Sequence, residues 1–165
     1  MTSNCIPTPV TDGKLCYAIS GYRGAALLAI RLDAASGDIT DSPAVAWKYD
    51  KDTPYVPSPV LTGERLYFTQ NTAGILSCLN ARTGEKLFGP ERLPDIKGLY
   101  ASLVAAKDRV YVVSRDGHTC VLKDGPTFEV LAHNVLDDRF DASPALVGRE
   151  LFLRGEKNLY CLASP

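Results

Sequence analysis

Short apolar segments separated by turn-forming residues recur four times along the chain. In each repeat a small hydroxyl residue precedes an aromatic residue by nine positions. The four pairs are Thr8 and Tyr17, Ser58 and Tyr67, Ser102 and Tyr111, and Ser143 and Phe152. The hydroxyl residues follow one another at intervals of 50, 44 and 41 residues. Such regular spacing predicts a structure built from repeated units.

Each unit contains up to four short segments rich in Val, Ile, Leu, Tyr and Phe, which predict β-strands A to D. Strand A starts near the hydroxyl residue, and strand B contains the aromatic residue. Strand C contains Leu32, Leu79, Leu122 or Leu162, and strand D contains Trp47, Phe88 or Val130. No long stretch has the 3.6-residue periodicity of a helix. The repeats extend over about 8–49, 58–94, 102–136 and 143–162.

Four strands in a unit of about 40–45 residues are typical of a β-propeller blade. We therefore predict an all-β fold, a partial β-propeller of about four blades in one domain over residues 1–165. Each blade is expected to be an antiparallel four-stranded sheet. The last blade is expected to lack its outer strand, because the segment after Leu162 is too short to form one.

Three stretches resemble the pyrroloquinoline quinone (PQQ)-like repeats of quinoprotein-type β-propellers. They are S-P-V at 58–60, L-S-C-L-N-A-R-T-G-E at 76–85 and W-K-Y at 47–49. In that family an A-x-x-T-G-x…W motif docks one blade on the next. The residues from Ala34 to Trp47 and from Ala81 to Phe88 approximate this motif, and the third unit departs from it at 123–126. The segments before the second and fourth repeats also resemble a bacterial branch close to the repeat protein that assists outer-membrane assembly.

The resemblance implies a ring of seven or eight blades, of which the four predicted blades would form about half. The remaining blades would belong to a longer chain, or a second copy of this chain would complete the ring. The resemblance also implies a bacterial cell-envelope location, periplasmic or secreted, although residues 1–5 carry no recognisable export signal.

A recurring aromatic residue marks a candidate binding face. Tyr55, Tyr100 and Phe140 each stand two or three positions before a predicted strand A. The loops that lead into strand A converge on one face of a propeller. These residues and Asp141 are therefore candidates for binding a partner on that face. For the three aromatic residues, we favour the other interpretation, that their side chains pack between blades.

The histidines and acidic residues provide no recognisable metal motif. His118 and His133 have no partner at a metal-binding spacing, and His118 is expected at a solvated hairpin tip. Asp137, Asp138 and Asp141 lack the spacing of a calcium-binding loop. We therefore predict no metal site.

The cysteines also lack a functional spacing, and no C-x-x-C pair occurs. The five residues are Cys5, Cys16, Cys78, Cys120 and Cys161. We interpret them as small apolar residues rather than as reactive thiols. We predict no catalytic residue and no cofactor.

The charge balance of the chain excludes nucleic acid as a partner. With 18 Lys and Arg against 19 Asp and Glu, the chain has no basic excess for nucleic acid. No apolar stretch is long enough to span a membrane.

We predict a non-enzymatic scaffold that binds or assembles a protein, peptide or polymer partner. The alternative is a fragment of a PQQ-dependent oxidoreductase, which requires a Trp beneath the quinone, a calcium ion and often a vicinal disulfide; the chain has one Trp and no Cys-Cys pair.

Overall fold

A computed structural model describes residues 1–163, which form four antiparallel sheets. The first contains β1 (Val10–Thr11), β2 (Leu15–Ser20), β3 (Ala26–Arg31) and β4 (Val45–Tyr49). The second contains β5 (Val60–Thr62), β6 (Arg65–Thr69), β7 (Ile75–Asn80) and β8 (Lys86–Arg92). The third contains β9 (Val104–Ala106), β10 (Arg109–Val113), β11 (His118–Lys123) and β12 (Val130–Val135). The fourth contains β13 (Ala145–Val147), β14 (Glu150–Arg154) and β15 (Leu159–Ala163).

The sheets are arranged radially. Within each sheet the strands lie side by side in chain order, and the first strands contact one another in the order β1, β5, β9 and β13. Each sheet is therefore a propeller blade, and the predicted fold class is confirmed, with three strands in the fourth blade of the described chain. None of the described residues forms a helix, so this part of the chain has no helix that could cross a membrane.

The strand positions follow the repeat pattern with two small corrections. Strand A begins two residues after the hydroxyl residue in every blade, because the hydroxyl residue itself lies in the incoming loop. Leu32 lies just beyond β3 rather than in strand C, because the chain turns away from the sheet after Arg31. The irregular pairing of strand C with strand D, seen in the first three blades, increases the local twist of each sheet.

The hydrophobic core lies between the sheets. Along β6, Leu66 and Phe68 pack against the first blade, whereas the intervening Tyr67 packs against the third. This alternation follows from the two-residue period of a strand. A smaller cluster around Phe140 and Leu153 joins the third and fourth blades. The apolar faces of each blade are therefore buried from water only by contact with the neighbouring blades.

The recurring hydroxyl residues form a ladder between blades. The backbone N–H of Thr8 donates to Ser58 Oγ over 2.9 Å. The N–H of Ser58 donates in the same way to Ser102 Oγ (3.0 Å), and the N–H of Ser102 donates to Ser143 Oγ (2.9 Å). The recurrence of a hydroxyl residue before each strand A thus places one hydrogen bond of the same kind at each of the three blade interfaces.

Trp47 docks the first blade on the second. Its indole Nε1–H donates to the carbonyl of Ala81 over 3.0 Å, and its ring covers Gly84. A Cβ atom on Gly84 would lie 2.7 Å from Trp47 Cδ2, so only glycine permits this approach. The A-R-T-G segment at 81–84 of the second blade thus receives the tryptophan of the first.

An acidic residue takes over this role between the second and third blades. Asp124 Oδ1 accepts hydrogen bonds from Arg65 Nε (2.6 Å) and Tyr67 Oη (2.7 Å). Its Oδ2 accepts from Arg65 Nη2 (2.8 Å) and Thr62 Oγ1 (2.9 Å). Burial favours the neutral acid, but these hydrogen bonds outweigh it and hold the pKa of Asp124 below its ordinary value. The segment 123–126, which departs from the docking motif, therefore joins the second and third blades through an ion pair.

Candidate binding face and histidine cluster

One face of the propeller, here called the loop face, consists of two sets of loops. The first set contains the turns between strands B and C, at 21–25, 70–74, 114–117 and 155–158. The second set contains the connections between blades, at 50–59, 93–103 and 136–144. Both sets lie on the same face because strands B and D run in the same direction in an antiparallel sheet.

Backbone hydrogen bonds fasten the turns of the second, third and fourth blades to the neighbouring connections. The N–H of Tyr55 donates to Asn71 O (3.1 Å), and the N–H of Asn71 donates to Thr53 O (3.0 Å). The turn of the third blade is held on both sides, because Arg115 N–H donates to Gly98 O and Phe140 N–H donates to Arg115 O, at 2.9 and 3.2 Å. The loop face is therefore built on an ordered backbone.

Two of the predicted residues, Tyr100 and Asp141, come together through Arg115. The Arg115 guanidinium lies 3.9 Å from the centroid of the Tyr100 ring. Its Nε donates to Asp141 Oδ1 (2.5 Å) and its Nη2 donates to Asp141 Oδ2 (3.0 Å). Tyr100 is 41% exposed, so one edge of this group is open to a partner.

Tyr55 stacks on a second tyrosine at the other end of the described loop face. Its ring centroid lies 4.7 Å from that of Tyr22, with 28° between the ring planes. Arg23 lies 5.3 Å from the Tyr22 ring centroid, so a cation accompanies the aromatic pair here as well. The structure thus places Tyr55 in an aromatic group separate from the Tyr100 group.

Phe140 occupies a different environment from the other two aromatic residues. It is only 1% exposed and packs in the core cluster, with its ring 5.6 Å from that of Tyr160. Its position before strand A is equivalent, but its side chain supports the loop from beneath. This is the interblade packing that the sequence favours for the recurring aromatic residue.

The sequence did not single out Arg115 or Tyr22, although both complete the groups around predicted residues. Both lie in turns between strands B and C, and glycine is the only residue type that all four turns share, so a repeat comparison detects neither residue. The only available signal was topological, because such turns must face the connection to the next blade.

The structure brings His118 and His133 together with Asp95. His118 Nδ1 lies 3.1 Å from His133 Nε2, and His133 Nδ1 lies 3.9 Å from Asp95 Oδ2. His118 is the first residue of β11 and is half-buried, so its expected place at a solvated hairpin tip was wrong. No spacing along the chain indicates this cluster, because Asp95 belongs to the connection from the preceding blade.

The cysteines occupy several environments and all five are free thiols. Cys78 and Cys120 are buried between the second and third blades, as expected of small apolar residues. Burial raises the pKa of Cys78 to about 12 and that of Cys120 to about 11. Cys161, which pairs with Phe152 as Cys78 pairs with Tyr67, is exposed.

The described residues do not fit a quinone site of the kind that the resemblance would require. The one tryptophan, Trp47, is committed to the Ala81 carbonyl and to Gly84 and cannot also lie beneath a quinone. The five cysteines include no adjacent pair that could form a vicinal disulfide.

Two solved structures with TM-scores above 0.5 are similar to this chain in fold. A europium-containing methanol dehydrogenase is similar over 77% of this chain and 24% of its own, with 18% identity and a TM-score of 0.58. The computationally designed Ika8 protein is similar over 94% of this chain and 45% of its own, with 11% identity and a TM-score of 0.69. BamB from Moraxella catarrhalis gives 14% identity and a TM-score of 0.47 over 98% of this chain and 59% of its own.

These similarities concern the fold alone. The chain spans between about a quarter and three fifths of the length of these structures. No known protein family matches its sequence, and no curated protein is significantly similar to it.

Proposed function

We propose that this protein is a non-enzymatic β-propeller scaffold that binds a protein, peptide or polymer partner on its loop face. The observation that carries the proposal is the group formed by Tyr100, Arg115 and Asp141. An exposed aromatic ring, a guanidinium and a carboxylate are held together there on hydrogen-bonded backbone. Aromatic residues and Arg contribute most of the energy in protein interfaces, and a fixed arrangement lowers the entropic cost of binding.

The partner most compatible with this group is an extended segment carrying apolar and charged side chains. Tyr55 and Tyr100 lie on successive interblade connections of the same face, and each contacts a residue of a turn between strands B and C, Tyr22 or Arg115. A segment crossing the loop face could thus contact an aromatic ring and a guanidinium at each group. Phe140 contributes by holding its connection in place rather than by contact.

The proposal extends to how the blade set is completed. Between the third and fourth blades, Val121, Leu153 and Leu162 line a cavity of about 300 Å³. Leu159 is 69% exposed on β15, whose pairing in the described chain is with β14. A strand from further blades of a longer chain, or from a second copy, would cover these apolar groups. Light scattering on the 165-residue chain distinguishes the two sources, since only the second gives twice the monomer mass.

Selection from a random peptide display library tests the binding face. The immobilised chain should select peptides whose affinity falls at least about tenfold in Arg115→Ala and in Tyr100→Ala, the loss expected at an interface hot spot. Arg82→Ala is the matched control, because Arg82 forms an exposed ion pair with Glu64 on the opposite face. Peptides that bind the loop-face variants and the wild type equally would contradict the proposal.

A further inference from the structure

The Asp95, His118 and His133 side chains meet at the seam between the second and third blades. Asp95 belongs to the connection that leaves the second blade, and the two histidines belong to β11 and β12 of the third. We propose that these three residues form a binding site for one divalent transition-metal ion, with Zn²⁺ as its type. The proposal does not depend on the binding function of the loop face.

The distances suit a tetrahedral ion. One nitrogen of each imidazole and one oxygen of Asp95 lie within 4.8 Å of one another. A tetrahedral ion with bonds of about 2.0–2.1 Å holds its ligand atoms about 3.4 Å apart. The two imidazole nitrogens, 3.1 Å apart, already have nearly this separation. The Asp95 side chain is 63% exposed and has space to close the remaining gap.

The backbone holds all three side chains in register. His118 pairs with Val135 and His133 pairs with Cys120, so the two imidazoles are diagonal neighbours on one face of the sheet. Asp95 stands between Leu93 and Ile96, both of which are buried in the core between these blades. Metal binding therefore requires rotation of the two imidazole rings, whose planes are now 11° apart, but no movement of a strand.

The donor set selects the kind of ion. Two imidazoles with one carboxylate suit zinc, nickel or copper, whereas magnesium and calcium prefer sites made of oxygen atoms alone. Three protein ligands leave a fourth position for water, and the exposure of Asp95 places that position next to solvent. A bound ion would tie the outgoing connection of the second blade to the outer strands of the third.

The competing explanation is a histidine pair that shares a hydrogen bond without any ion. A distance of 3.1 Å between ring nitrogens also suits an N–H···N bond, with Asp95 close to the second ring. This arrangement needs neither zinc nor any particular ligand geometry. Metal titration separates the two explanations.

The experiment is a calorimetric titration of the untagged, chelator-treated chain with ZnCl₂, and with MgCl₂ in parallel. We expect one Zn²⁺ per chain with micromolar or tighter affinity, and no binding of Mg²⁺. His118→Ala and His133→Ala should each weaken zinc binding by about 10–100-fold or more, because each removes a ligand. Asp95→Asn should weaken it as well, while Asp137→Asn, which changes an exposed carboxylate outside the cluster, should leave it unchanged.

Two further measurements make the result decisive. The Cys5→Ser/Cys161→Ser variant should bind zinc like the wild type, which excludes the exposed thiols as ligands. Zinc should also slow hydrogen exchange at the amides of 95–98 in the wild type but not in His133→Ala. Absence of zinc binding to the wild type, or wild-type affinity in a His118→Ala/His133→Ala double variant, would overturn the proposal. Zinc binding without slower exchange at 95–98 would remove Asp95 from the site.

Discussion

The backbone N–H of Ser58 donates a hydrogen bond to the side-chain oxygen of Ser102 over 3.0 Å, and this bond joins equivalent positions of two neighbouring blades. Ser58 in turn accepts from Thr8 through its own hydroxyl. Ser58 and Ser102 thus each donate a hydrogen bond to one neighbouring blade from the backbone N–H and accept one from the other at the side-chain oxygen. A short side chain with an acceptor oxygen at this position can bridge the loops that lead into adjacent inner strands.

Removing one hydroxyl from this ladder should weaken the propeller. We expect Ser102→Ala to lower the free energy of unfolding by about 1 kcal/mol, because the half-buried N–H of Ser58 loses its acceptor. Urea denaturation followed by circular dichroism measures the change. Ser36→Ala is the control, since Ser36 is exposed in the loop between β3 and β4. Equal stability of the two variants would show that the ladder contributes nothing measurable.

The repeat pattern predicted the blades well because its signal is local and repeated. The hydroxyl and aromatic residues of Ser58–Tyr67 and its equivalents identify strands A and B, and each additional copy strengthens the inference. The Asp95–His118–His133 cluster could not be predicted in this way. Its members come from two blades, and their meeting depends on the radial packing of whole sheets rather than on any spacing along the chain.

The contact between Trp47 and Gly84 predicts a severe cost for a single methyl group. Gly84→Ala should destabilise the protein by about 1–3 kcal/mol more than Gly13→Ala, because overpacking against the indole adds to the strain of the backbone. Gly13 has a similar φ of 86° against 76° at Gly84, but nothing lies within 4 Å of its added Cβ. Urea denaturation of both variants gives the difference. A Trp47→Ala background should reduce it, and a difference that persists there would rule out the indole as the cause.

Burial should divide four of the five thiols into reactive and protected groups. Cys5 and Cys161 are exposed and should react rapidly with Ellman's reagent at pH 7.5. Cys78 and Cys120 should react only on unfolding, because burial raises their pKa values to about 12 and about 11 and the thiolate is the reactive form. Absorbance of the released thiol counts the groups. Rapid reaction of Cys78 in the native protein, detected by its loss in Cys78→Ala, would contradict the packing between the second and third blades.

The oxidoreductase alternative has its own test. Addition of PQQ with Ca²⁺ should produce no shift in quinone absorbance and no dye-linked alcohol oxidation, because Trp47 is held against Gly84 and cannot lie beneath a quinone. Fluorescence of this single tryptophan provides a second readout and should be unchanged in its emission maximum. A saturable quinone shift that is lost in Trp47→Phe would instead favour the enzyme.

The ion pair between Asp124 and Arg65 should make stability depend on pH. Because the folded-state pKa of Asp124 is lowered, its ionised form stabilises the fold above the ordinary carboxyl pKa of about 3.9. That contribution is lost as the pH falls below about 4 towards the folded-state value. Asp124→Asn should cost about 2–4 kcal/mol at pH 7, because Asp124 is 6% exposed and its loss leaves Arg65 without its partner.

The difference in free energy of unfolding between wild type and Asp124→Asn should therefore stay constant from pH 6 to pH 8 and shrink below about pH 4. Asp41→Asn is the matched control, because its pair with Lys48 is exposed and should contribute less than about 1 kcal/mol. Urea denaturation at pH 7 and pH 3.5 measures both differences. A cost for Asp124→Asn that is as small as that of Asp41→Asn, or that persists unchanged in acid, would show that the ion pair between Asp124 and Arg65 does not stabilise the contact between the second and third blades.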